Sequence, residues 1–148
     1  MRPLVLLDVD GVINDLRRGI ARPWKTDYYD ALGYTISVPE YMPDLLQRVH
    51  RNADIVWCTT WEERANDYIS PLVGLPDDLP YVRLTWDPYA ITNAKSLNAY
   101  RAAAPYLWAG ASVYWVEDFD IMPDEEIVTA INTVPEYVLT PKLGELLP

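Results

Sequence analysis

Short apolar blocks, each closed by a polar or turn residue, set the plan of this chain. Leu4–Leu7 is an unbroken apolar run that stops at Asp8, the pattern of a strand buried on both faces. Tyr28–Val38 carries strand-type residues around Leu32 and Gly33, which predicts a short hairpin turning there. Pro39 suits a helix's first turn, and Met42, Leu45, Leu46 and Val49 follow at helical spacing. Ile55–Cys58 reads as a second buried strand. Thr60 and Glu63 form a capping box, predicting a helix through about Leu72. Tyr81–Leu84 is a third short strand, Ala94–Ala103 a helix, Val113–Val116 a fourth strand and Ile127–Ile131 a fifth. Thr140 and Pro141 open a last short helix.

Strands alternating with helices predict an α/β fold, a Rossmann-like three-layer sandwich around a mostly parallel five-stranded sheet. Ligands bind such sheets at the carboxyl ends of the strands. Three polar clusters fall at those ends: Asp8 with Asp10, Thr59 with Thr60, and Glu117 with Asp118.

Composition narrows the picture. A length of 148 residues fits one domain, and hydrophobic residues make up 50% of it, enough for a real core. A net charge of −10 argues against broad, sequence-independent nucleic-acid binding, which needs a basic footprint. It leaves room for a small nucleotide or a single strand end as partner. The lone cysteine, Cys58, excludes an intrachain disulfide and fits a reducing compartment. The first apolar run is shorter than a signal peptide's, and no stretch is long enough to span a membrane. The expectation is a soluble, cytoplasmic protein. Six Trp and eleven Tyr against one Phe favour rings with polar tips at half-buried positions, with stacking on substrate open to one or two of them.

The chemistry begins at Asp8-Val9-Asp10-Gly11. In an extended chain residues i and i+2 point the same way, so two carboxylates sit together at a strand end. Like charges that close repel, and a hard divalent cation relieves them. Mg²⁺ binds through one or two carboxylates plus substrate phosphate. Gly11 lets the backbone turn tightly behind them.

The order Asp-x-Asp, Thr59, Lys95 and an acidic pair resembles the haloacid dehalogenase (HAD) superfamily of phosphohydrolases. Asp8-Val9-Asp10-Gly11-Val12 matches its first motif, Thr59 after Ile55–Cys58 the second, Lys95 the third, and Glu117-Asp118 the fourth. The likeness implies a phosphoric monoester hydrolase. Asp8 would be the nucleophile, Asp10 the general acid and base, and Thr59 and Lys95 the contacts to the phosphoryl group. Mg²⁺ would lie on Asp8, the backbone carbonyl of Asp10, and Asp118, with Glu117 beside them. The fourth motif departs from a plain Asp-Asp pair, and Asp120 stands in reserve as a ligand. The wider run through Asp124, Glu125 and Glu126 reads as a solvated loop.

Trp57-Cys58-Thr59-Thr60-Trp61-Glu62-Glu63-Arg64-Ala65-Asn66 is similar to a signature of small HAD proteins named for "Swiss Army knife" RNA repair, many of them bacterial or phage-encoded. That likeness implies a nucleotide or nucleic-acid end as substrate. Thr60, Trp61 and Arg64 are candidates to touch it. The stretch between Asp10 and Thr59 is too short for a large cap domain and leaves a flap over about 16–38. The flap's Arg17, Arg18, Arg22 and Lys25 read first as solvated charges; the alternative is that they steer a phosphorylated ligand, with Arg22 the candidate contact.

Two other classes compete. A receiver-like signalling domain uses Asp, Thr and Lys around Mg²⁺, but its phosphorylated Asp ends a later strand, and no strand-end Asp stands between Asp10 and Thr59. A non-catalytic or degenerate HAD-fold binding module fits the altered acidic pair. Cys58 lacks a histidine partner for nucleophilic chemistry. His50 ends a helix, where a cation favours the dipole.

Overall fold

The computed structural model describes residues 1–17, 19–84, 94–118 and 127–148. Arg18 of the flap, and Asp120, Asp124, Glu125 and Glu126 of the acidic run, lie outside the described residues.

The protein is α/β, with a four-stranded sheet ordered β4-β1-β5-β6. These strands are β1 (Leu4–Leu7), β4 (Asp54–Trp57), β5 (Val113–Glu117) and β6 (Thr129–Asn132), and every pairing among them is parallel. In register, Leu7 lies opposite Trp57 on one side and Val116 on the other. All four strands therefore end at one edge, where Asp8, Cys58, Asp118 and Thr133 follow.

The apolar runs split by alternation. Val5 and Leu7 face a core shared with α1 (Met42–Asn52), α2 (Arg64–Tyr68) and α3 (Ser70–Val73). Leu4 and Leu6 face a second core shared with Ala99 and Ala103 of α4 (Ala94–Trp108). Helices cover both faces of the sheet, and this explains why β1 is apolar throughout. A last helix, α5 (Pro141–Gly144), is capped by Thr140, whose Oγ1 accepts from Leu143 N–H at 3.2 Å, as its sequence predicts.

Several sequence expectations are corrected. The third strand expected at Tyr81–Leu84 is an isolated bridge between Trp57 and Tyr81, so the parallel sheet has four strands rather than five among the described residues. Ile127–Ile131 becomes Thr129–Asn132, and the exposed Ile127 precedes the strand. Pro39 ends a strand; the proline in the first turn of α1 is Pro43. The capping box at Thr60 and Glu63 does not form. Glu62 takes a positive φ of 49°, which no helix start tolerates, and the helix begins only at Arg64. Pro71 lacks an N–H, so the expected single helix divides into α2 and α3.

The predicted hairpin is present as a separate antiparallel sheet of β2 (Thr26–Ala31) and β3 (Tyr34–Pro39). Leu32 and Gly33 form its turn with φ of 53° and 80°. Positive φ at both central residues matches the right-handed twist of the flanking strands. Ile36 and Val38 anchor β3 in the core, while β2 is mostly exposed.

Candidate active site

The end of β1 meets the end of β5, and this contact gathers the acidic residues. Asp8 is buried, and its Oδ1 accepts from Val9 N–H at 2.8 Å. Its Oδ2 lies 3.3 Å from Lys95 Nζ, which reaches in from the first turn of α4. Lys95 Nζ also lies 2.5 Å from Oε2 of Glu117. Carboxylate oxygens of Asp8, Glu117 and Asp118 all fall within 4.8 Å of one another.

So much negative charge in a buried corner has electrostatic consequences. Burial first, then the neighbouring Asp8 carboxylate, push the Glu117 carboxyl up to about 9, despite the opposing pull of Lys95. Burial likewise raises Asp118 above its ordinary value, again with Asp8 adding to the effect. Burial alone would lower Lys95; the carboxylates of Asp8 and Glu117 outweigh it and raise the ammonium. These three carboxylates could hold a metal ion, and an oxygen-only donor set is the kind a hard cation takes.

Gly11 makes the cluster possible. It has φ of 77°, and a Cβ there would stand 2.6 Å from Oδ2 of Asp118. The missing side chain leaves the space that the Asp118 carboxylate occupies. Thr133, at the end of β6, donates from Oγ1 to the Gly11 carbonyl at 2.6 Å and holds this turn in place.

Asp10 lies apart from that cluster. Its Oδ1 accepts from Asn14 Nδ2 at 2.9 Å and its Oδ2 from Trp61 Nε1 at 3.1 Å. The Asp10 carboxylate is therefore not among the grouped acidic side chains. Thr59 is fully buried at the end of β4; its Oγ1 accepts from Trp61 N–H at 3.2 Å, leaving its own hydrogen to donate.

Beside Asp10 opens a cleft of about 430 Å³, walled by Trp61, Thr60 and Arg64 on one side and by Leu32, Tyr34 and Ile36 of the hairpin on the other. Of the four residues expected to touch substrate, Thr60, Trp61 and Arg64 line this cleft, and Arg22 does not. Arg22 donates from Nε and Nη2 to both carboxylate oxygens of Asp15, each at 2.9 Å, and from Nη1 to Glu136 at 2.6 Å. Its guanidinium also lies 5.3 Å from the Trp24 ring. Arg17 pairs with Glu136 at 3.4 Å. Two of the flap's bases are thus engaged with acids of the chain itself.

The ten-residue stretch from Trp57 to Asn66 divides its labour. Trp57 Nε1 donates to Asn66 Oδ1 at 3.0 Å, and Asn66 Nδ2 donates to the Leu79 carbonyl at 2.8 Å, a buried brace between β4, α2 and the chain beyond. Ala65 is wholly buried beneath it. Thr60, Trp61 and Arg64 of the same stretch turn to the cleft instead.

Cys58 is buried and its thiol is pushed up to about 12 by burial, which removes it as a nucleophile. Asn14, Tyr34 and Thr133 complete the site without having been foreseen. Thr133 was open to discovery, because it follows a parallel strand as Asp8 and Thr59 do. The sequence holds no comparable sign for Tyr34, which arrives on the hairpin, or for Asn14, in the turn after β1, which hydrogen-bonds to it.

Comparison of the chain with protein-family models, with curated proteins and with solved structures found no match. Among the described residues, no helix is long and apolar enough to cross a membrane.

Proposed function

We propose that this protein is a Mg²⁺-dependent phosphatase of the HAD type, hydrolysing phosphate monoesters through an aspartyl-phosphate on Asp8. The observation that carries the reading is the division between two carboxylates two residues apart. Asp8 faces Lys95, Glu117 and Asp118; Asp10 faces Asn14, Trp61 and an open cleft.

In the first step an oxygen of Asp8 attacks phosphorus, the ester P–O bond breaks, and Asp10 gives its proton to the departing alkoxide. In the second, Asp10 takes a proton from water as that water attacks phosphorus; the bond to Asp8 breaks and inorganic phosphate leaves. Lys95 stabilises charge on the phosphoryl oxygens, and the Thr59 hydroxyl donates to one of them. Asp8, Asp118 and the Asp10 carbonyl, with Glu117 beside them, would hold Mg²⁺, which offsets the charge of the incoming dianion.

The favoured substrate class is a nucleotide or a nucleic-acid end. The cleft's volume falls in the range of small-molecule sites, and Trp61, Tyr34 and Arg64 offer rings and a cation to a base. With Mg²⁺ the protein should hydrolyse a generic aryl phosphate, and Asp8→Asn should abolish turnover. Activity surviving that change in purified protein would sink the nucleophile assignment. A panel of nucleoside monophosphates, phosphorylated oligonucleotides and sugar phosphates tests the class, and preference for sugar phosphates would refute it. A chain that binds phosphate mimics with Mg²⁺ but turns nothing over would be a binding module instead.

A further inference from the structure

The two hydrogen bonds on Asp10 lead to the same place. Asn14, buried, donates to Oδ1 of Asp10, and its own Oδ1 accepts from the Ser37 N–H of β3 at 2.8 Å. Trp61 donates to Oδ2 of Asp10, and its ring meets Tyr34 of β3 edge-on, with centroids 6.1 Å apart. A carboxylate rotates freely about its last bond unless both oxygens are held. Here each oxygen has its own donor, and each donor is braced by one strand of the hairpin. Every oxygen keeps a further lone pair for a proton.

We propose that Asn14 and Trp61 are positioning residues that aim the Asp10 carboxyl at the leaving oxygen, with β3 as the brace for both. The inference rests on the acid–base role of Asp10 given above. It assigns Trp61 a task beyond contact with the leaving group: the indole N–H serves the proton transfer, while the ring walls the cleft where the leaving group sits. A misaimed acid costs most when the leaving oxygen is strongly basic and needs its proton early.

Two variants separate this from a structural role. Trp61→Phe keeps a ring and removes the N–H. Asn14→Ala removes the amide donor without placing a second carboxyl beside Asp10. In the full-length protein with Mg²⁺, kcat/KM is measured on an aryl phosphate, whose leaving group needs little protonation, and on an alkyl phosphate, whose leaving group needs much. Both variants should lose about tenfold more on the alkyl ester than on the aryl ester, and Asp10→Asn should lose more still in the same direction. Equal losses on the two esters in both variants, or no loss in either, would overturn the proposal. A wild-type protein inactive on both esters, or an Asp10→Asn variant without the leaving-group bias, would instead overturn the acid–base reading itself and the proposal with it.

Discussion

Glu117 is 6% exposed, and its carboxyl sits between Asp8 and Lys95. Burial, reinforced by Asp8, raises it from the ordinary 4.5 to about 9 in the metal-free protein. The native state then binds a proton that the unfolded chain has released. Stability from this group is full below about pH 4.5 and is lost as pH rises toward 9, because the unfolded state binds fewer protons over that window. Without metal, chemical denaturation should show stability falling across that range, and Glu117→Gln should flatten the slope. A variant whose slope equals that of the wild type would show that Glu117 is ionised in the native state. At this scale the sequence was legible where chemistry and strand ends coincide. Asp8, Thr59, Lys95, Glu117 and Asp118 could be picked out because each lies at the end of a buried strand or at the start of a helix. Asn14 could not, since its value lies in joining Asp10 to Ser37, residues that only the fold brings together.

At the scale of elements, the hairpin turn holds an unfavourable residue. Leu32 has φ of 53°, a left-handed conformation that costs a leucine about 1 kcal/mol and that asparagine tolerates well. The same leucine is 49% exposed and forms part of the cleft wall. Local propensity and the site thus pull in opposite directions. Leu32→Asn should raise stability by about 1 kcal/mol, a few degrees in Tm for a chain of this length. It should also raise KM for substrates whose leaving group fills the cleft. A lower Tm would mean that the leucine's contacts outweigh its backbone strain. The hairpin was legible because Gly33 marks its turn and β-type residues flank it. The helix after β4 was misread because the capping pattern at Thr60 competes with a stronger local demand. There Thr59 Oγ1 takes the Trp61 N–H, Glu62 turns left-handed, and the Trp61 indole donates to Asp10. A one-dimensional pattern carries no record of that tertiary preference.

For the molecule as a whole, net charge of −10 makes every cation informative, and the structure assigns Arg22 to its own architecture. Side chains of Arg22 and Asp15 are 8% and 6% exposed, and the pair ties the base of the flap to Glu136 in the segment beyond β6. From sequence, a cluster of bases in an acidic chain reads as solvated charge or as a collector of phosphate. Neither reading of these bases, solvated charge or phosphate collector, anticipates the pairing, because Glu136 is far off along the chain and Asp15 is hidden by burial. Arg22→Met keeps the apolar stem and removes the charge, leaving Asp15 buried without its partner. Breaking a buried pair in this way typically costs about 3–5 kcal/mol, and the lower end applies because Glu136 is open to solvent at 43%. Urea denaturation should therefore show a loss of about 3 kcal/mol. Steady-state kinetics on an aryl phosphate, run where the variant is still folded, should show KM changed little. Undiminished stability with KM raised many-fold would return Arg22 to the substrate. An anchor at this position has a consequence for the site as well. The flap is fastened through Arg22 at its base and through Asn14 and Ser37 near Asp10, so the hairpin that braces the acid is itself held to the body of the protein.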